Sequence, residues 1–182
     1  KLINLKIIFS LGAGVDHILK LSTYKNTPII RLQDSNMRAR MLNHVLSQIL
    51  NYQLKLNEYR TAQDKKMWLD ERYTALNKEL TIGVLGLGYI GNFVAQNLRL
   101  LDYNVIGYKN SHKTRISSIP VYYKNSLKTF LKLSDIVVSV LPATTETSNV
   151  INKSFLNQMK KKSLLINVGR GSSLNEIDLL KH

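Results

Sequence analysis

Thr81-Ile82-Gly83-Val84-Leu85-Gly86-Leu87-Gly88-Tyr89-Ile90-Gly91 reads as a buried strand running into a glycine turn and then a helix. The run from Leu80 to Leu85 is largely apolar, β-branched at Thr81, Ile82 and Val84, and short enough for a parallel strand covered on both faces. In Gly86-x-Gly88-x-x-Gly91 each glycine has its own task. Gly86 allows a tight turn, Gly88 lets main chain approach a pyrophosphate, and Gly91 lets the following helix lie close to the strand. A helix expected over residues 89–101, with Phe93, Val94, Leu98 and Leu101 at helical spacing, aims its free N-terminal amides at the phosphates. The stretch therefore predicts a dinucleotide site on Gly86, Gly88, Tyr89, Ile90 and Gly91.

The chain has 182 residues, enough for one domain or one domain with part of another. No apolar run approaches the roughly 18 residues of a membrane span, so no membrane partner is expected. The net charge of +14 raises the question of nucleic acid. The excess is mostly lysine spread over the whole length, without an aromatic-and-arginine stripe, which reads as solvated surface rather than a nucleic-acid partner. Lys160-Lys161-Lys162 reads as a helix C-terminus favoured by the helix dipole. There is no cysteine, which excludes disulfides and thiolate ligands and fits a reducing, cytoplasmic setting; no metal site is expected.

Outward from the glycine turn, residues 5–9 form a short strand entering the loop Ser10-Leu11-Gly12-Ala13-Gly14-Val15-Asp16-His17. Consecutive main-chain amides in such a glycine loop can hold a carboxylate. Residues 28–32 are a second strand, so residues 1–33 carry too little to bury a core of their own. A long helix over residues 35–60 shows one apolar stripe through Met37, Met41, Val45, Ile49 and Tyr52 and another through Leu42, Leu46 and Leu50. So wide a face is buried on most of its circumference or meets a partner chain. His44 reads as a packing or surface residue, and residues 61–78 as a polar connection.

Residues 104–108 are the next parallel strand. An NAD site places an acid near the tip of this strand for the ribose hydroxyl. Here the tip is Tyr108-Lys109-Asn110-Ser111-His112-Lys113-Thr114-Arg115, with no acid. Lysine or arginine there pairs with a 2′-phosphate, so Lys109, Asn110, Ser111 and Lys113 point to NADP ahead of NAD. Further elements are expected at residues 120–123 (strand), 126–133 (helix), 135–141 (strand), 153–161 (helix) and 164–168 (strand). Gly169-Arg170-Gly171 ends the last strand, and its arginine can offer a two-pronged contact to a planar anion.

Four stretches, residues 10–17, 86–91, 141–147 and 167–171, together resemble the D-isomer-specific 2-hydroxyacid dehydrogenases. Leu11 to Leu19 and Arg31-Leu32-Gln33-Asp34 are most similar to the branch acting on glyoxylate and hydroxypyruvate. The resemblance runs through essentially the whole chain. It implies an α/β fold: a truncated Rossmann-type doubly wound parallel sheet over residues 34–182, with a remnant of a flavodoxin-like substrate-binding domain over residues 1–33. It also implies hydride transfer from a nicotinamide to the carbonyl carbon of a small 2-oxo acid. Arg170 then grips the substrate, Ala13 and Gly14 hold its carboxylate, and Leu141, Pro142, Thr147, Val168 and Gly169 join the cofactor contacts. Two departures stand out. Asn110 lacks the arginine of many NADP-using relatives, and the family's later glutamate and general-acid histidine have no match before His182, so the chain reads as the middle of a longer, dimeric enzyme. A non-catalytic dinucleotide-sensing module of the same fold is the alternative.

Overall fold

The computed structural model describes residues 4–12, 14–70, 73–110 and 119–182. Near the amino end β1 (Ile8–Ser10) and β2 (Ile29–Arg31) pair in parallel, joined through the short helix α1 (Asp16–Leu19). The expected strand at 5–9 is thus displaced to 8–10, because the partner strand begins only after Pro28, whose carbonyl accepts from the Ile8 amide at 2.9 Å. This pair buries little. Phe9, Leu11, Ile30 and Leu32 are all exposed.

The single helix expected over residues 35–60 is two: α2 (Ser35–Gln53), capped by Asp34, and α3 (Leu56–Asp64). Between them Lys55 takes φ 55°, a left-handed conformation that ends one helix and redirects the chain into the next. Gln53 marks the break. Its side chain donates to Ala75 O at 2.7 Å and to Asn77 Oδ1 at 2.9 Å, and accepts from Tyr103 Oη at 2.6 Å. The supposed connection after residue 60 therefore begins as helix, and Trp68 beyond it is 90% exposed.

The main sheet comprises β3 (Thr81–Leu85), β4 (Asn104–Lys109), β5 (Val121–Tyr123), β6 (Ile136–Ser139) and β7 (Leu164–Asn167). All pairs are parallel, in the order β5-β4-β3-β6-β7. α4 (Tyr89–Leu100) links β3 to β4, and α5 (Leu127–Leu133) links β5 to β6. α6 (Lys153–Leu156) precedes β7, and α7 (Glu176–Leu180) follows it. On one face Ile82, Val84 and Val138 pack with Val94 and Leu98 of α4 and with Val45 and Ile49 of α2. On the other, Leu85 and Val137 pack with Phe130, Leu131 and Phe155. Burying each of these phenylalanines contributes about 1.5–3 kcal/mol.

The helix expected over residues 153–161 is a single turn ending at Leu156. The lysine run is therefore no helix terminus. Lys160 Nζ instead pairs with Asp135 Oδ1 at 2.7 Å, while Asp135 Oδ2 accepts from the Thr81 amide at 2.8 Å. Among the described residues no helix is long and apolar enough to cross a membrane.

Candidate active site

Register decides where the site lies. Leu85 stands opposite Tyr108 on one side and Ser139 on the other, and Ser139 stands opposite Asn167. The carboxyl ends of β3, β4, β6 and β7 thus share one rim, and four loops leave from it.

After β3, Gly86 takes φ +98°, which costs glycine no Cβ clash. A Cβ on Gly91 would stand 1.9 Å from the Gly86 carbonyl oxygen, so α4 can start this close to the strand only from a glycine. Gly88 differs, for no atom lies within 4 Å of where its Cβ would be. Nothing among the described residues asks for glycine there. Asn92 is the first amide of α4 to find a backbone acceptor, Gly88 O at 2.9 Å, which leaves the N–H groups of Tyr89, Ile90 and Gly91 directed out of the helix end. Beside this end lies a cleft of about 360 Å³ lined by Arg38, Gly88, Tyr89, Asn92 and Phe93. Arg38 reaches it from α2, its guanidinium carbon 5.1 Å from the Tyr89 ring centroid and 4.4 Å from that of Phe93.

After β6 comes Leu141-Pro142, a hub between loops. Cβ atoms built on Gly86 and Gly169 would meet Leu141 Cδ2 at 3.2 Å and Leu141 O at 2.5 Å. Gly169 is therefore glycine because the Leu141 main chain crowds it, not to make room for a substrate. Gly171 has open space around it. Thr147 Oγ1 donates to Pro142 O at 2.5 Å and accepts from the Thr144 amide at 2.9 Å, so this hydroxyl is committed to its own loop. The Val168 amide extends the β7 ladder by one bond, to Ser139 O at 3.0 Å. Lys109 is the last residue of β4, and Asn110 beyond it is exposed. Ser111 and Lys113, like Ala13, lie outside the described residues.

Arg170, at the end of β7, crosses to the small sheet. Its Nε lies 3.2 Å from Asp16 Oδ1, the first residue of α1 and 154 positions away in sequence. A Cβ on Gly14 would stand 1.5 Å from Arg170 Nη2, so the guanidinium rests directly on the glycine main chain. The Asp16 carboxyl is held below its ordinary value of 3.8, first by its own backbone N–H and then by the hydrogen bond from Arg170. The substrate loop and the substrate arginine expected from sequence are thus brought together. Asp16 is the residue that reading by sequence passed over: it stood inside the quoted loop, but only the fold shows its partner. His17, His44 and His182 are exposed. Among the described residues no group of three or more His, Asp or Glu could hold a metal.

Residues 46–182 match the family model of the D-isomer specific 2-hydroxyacid dehydrogenase NAD binding domain. The chain belongs to the D-isomer specific 2-hydroxyacid dehydrogenases. Among curated relatives of this dehydrogenase chain, glyoxylate/hydroxypyruvate reductase A of Photorhabdus laumondii is 35% identical over 184 residues, covering 97% of this chain and 58% of the relative. A probable 2-hydroxyacid dehydrogenase of Rhizobium etli, solved with NADP, HEPES and L(+)-tartaric acid, superposes with a TM-score of 0.90 at 32% identity. It covers 98% of this chain and 57% of its own. The NADPH-dependent glyoxylate/hydroxypyruvate reductase of Sinorhizobium meliloti, solved with NADP and sulfate, gives 0.89 at 30% identity, covering 97% and 57% of the two chains. The dehydrogenase chain thus spans about 58% of the length of the curated relatives it matches.

Proposed function

We propose that this chain carries the dinucleotide site and the substrate arginine of an NADP-dependent reductase of small 2-oxo acids of the glyoxylate or hydroxypyruvate kind. One observation carries the proposal: Arg170 rests on Gly14 at the same rim that directs the Tyr89, Ile90 and Gly91 amides outward. Substrate anchor and phosphate cradle then leave from one rim of the main sheet. The fit to a dinucleotide is good, because Gly88 keeps open the space a Cβ would fill and the amides can donate to a pyrophosphate. NADPH, when bound, supplies the hydride that reaches the carbonyl carbon. Lys109 supplies a cation for the 2′-phosphate, with Ser111 and Lys113 next to it in sequence. Leu141, Pro142, Thr147, Val168 and Gly169 border the nicotinamide half, with Leu141 packed between the glycine turn and the Arg170 loop. Arg170 holds the substrate carboxylate, and the loop of Ala13 and Gly14, the two residues that the family resemblance assigns to that carboxylate, supplies main-chain donors.

This reading assigns residues 1–33 to a substrate-binding domain and residues 34–182 to the nucleotide domain, in a protein that is cytoplasmic and homodimeric when complete. The relatives solved with NADP support the choice of cofactor. No histidine of the 182 residues matches the family's general acid, and losing that group typically costs about 100- to 10,000-fold. The chain alone therefore binds the cofactor without turnover. Titration with NADPH and NADH, read by nicotinamide fluorescence, should give about tenfold tighter binding of NADPH, the effect of one charge-assisted contact. Adding glyoxylate should leave the nicotinamide absorbance unchanged. Equal affinities, or clear oxidation of NADPH, would refute this assignment.

A further inference from the structure

Building on that reading, we infer that Asp16 is a positioning residue: it fixes Arg170 through Nε, with Gly14 stopping Nη2, so that Nη1 of the guanidinium is presented to the carboxylate of a 2-oxo acid. The three groups form one cluster. A Cβ on Gly14 would lie 2.8 Å from Arg170 Cζ and 3.0 Å from Asp16 Oδ1, and Asp16 Oδ1 is 3.2 Å from Arg170 Nε. An arginine side chain is long and pays about 2 kcal/mol in rotamer entropy to be held in one pose. Here the pose is set at two places, by the carboxylate at Nε and by the bare Gly14 main chain, which meets the guanidinium end-on at Nη2. The contact is single, through Nε, rather than a fork closed on both Nη atoms. A pair built for stability alone favours the two-pronged form. Neither contact is made by Nη1, which is left to donate to a planar carboxylate. Both partners keep solvent access, with side-chain exposures of 43% for Arg170 and 30% for Asp16. The bond also spans the joint between the small sheet and the main one, so orientation of the arginine depends on how those two pieces sit together.

A bystander ion pair of this exposure would contribute about 0–1 kcal/mol and leave ligand binding alone. Asp16 as positioner makes a different forecast, read in the 182-residue chain saturated with NADPH and titrated with oxamate, a non-reacting analogue of a 2-oxo acid, by calorimetry. Asp16→Ala should weaken oxamate about tenfold while NADPH affinity and the unfolding midpoint stay near those of the parent, since one hydrogen bond to a charged group is lost. Asp16→Asn keeps an acceptor at the same reach and should recover most of that loss. Tighter oxamate binding in both variants would show that Asp16 merely dilutes the positive charge, and would overturn the inference. So would an Asp16→Ala variant that binds oxamate like the parent, or one whose NADPH affinity and midpoint fall together with it. If the parent chain binds NADPH but no oxamate, the substrate-site reading fails along with the role of Asp16.

Discussion

Three glycines in one turn answer to three separate forces, and substitution separates them. Gly91→Ala puts a methyl 1.9 Å from a carbonyl oxygen of the main chain, which cannot swing aside as a side-chain tip can. Overpacking of that kind costs typically about 1–3 kcal/mol, so thermal unfolding should move down by several degrees. Gly88→Ala meets nothing among the described residues and needs no unusual φ, so its midpoint should match the parent's. On the proposed reading its NADPH affinity should fall about tenfold or more, because the added methyl would enter the space assigned to the phosphates. Loss of stability in Gly88→Ala, with binding intact, would contradict the role given to that position. The tasks of Gly86 and Gly91 were legible in sequence because spacing alone dictates where a strand must turn and where a helix must touch it. Asp16 and Arg38 were not, since both owe their role to a partner distant in sequence, and no local pattern encodes a contact across 154 positions.

Among elements, the strands of the main sheet were readable within a residue or two. Apolar runs such as Ile136–Ser139 are buried on both faces and depend little on their neighbours in sequence. Helix ends were harder to place. The apolar stripe of α2 continues in phase past its real end, where Lys55 turns left-handed and the last helical residue, Gln53, takes tertiary partners. Gln53 is only 8% exposed and links α2 to the segment before β3 and to Tyr103 at the start of β4. A glutamine on a stripe looks like an interruption of the core, yet here it is the tie between layers. Gln53→Leu should therefore destabilise the chain despite adding apolar surface, by about 1–3 kcal/mol, because the Tyr103 hydroxyl and the Ala75 carbonyl would lose their buried partner. Chemical denaturation of this variant beside Tyr103→Phe would test it. If the tie operates as one unit, the double variant should lose less than the two single losses added together.

Over the whole molecule, charge sets the acid limit. The chain carries +14 at neutral pH, with only 12 acidic residues against 26 lysines and arginines. Two of those acids are held ionised by local contacts. Asp16 is depressed by its own backbone N–H and by Arg170, and Glu79 is depressed first by the Tyr73 hydroxyl at 2.6 Å and then by the Leu76 amide at 2.8 Å. A carboxyl whose pKa is lower folded than unfolded binds fewer protons in the native state through that interval, so it stabilises above the unfolded value and loses that contribution as pH falls through the folded one. The unfolded values are the ordinary 3.8 and 4.5. Stability should therefore be level from neutral pH to about 5 and decline below, as these contacts dissolve and self-repulsion grows on a chain already strongly positive. The joint through Asp16 and Arg170 is exposed, whereas the core of the main sheet is buried, so acid should release residues 1–33 first. Amide exchange followed from pH 6 to pH 3 should show protection failing around β1 and β2 while β3 and β6 stay protected. Added salt should delay the loss at low pH by screening the lysines. Simultaneous loss of protection in both sheets, or a midpoint that rises on acidification, would show that these carboxylates do not govern the acid limit.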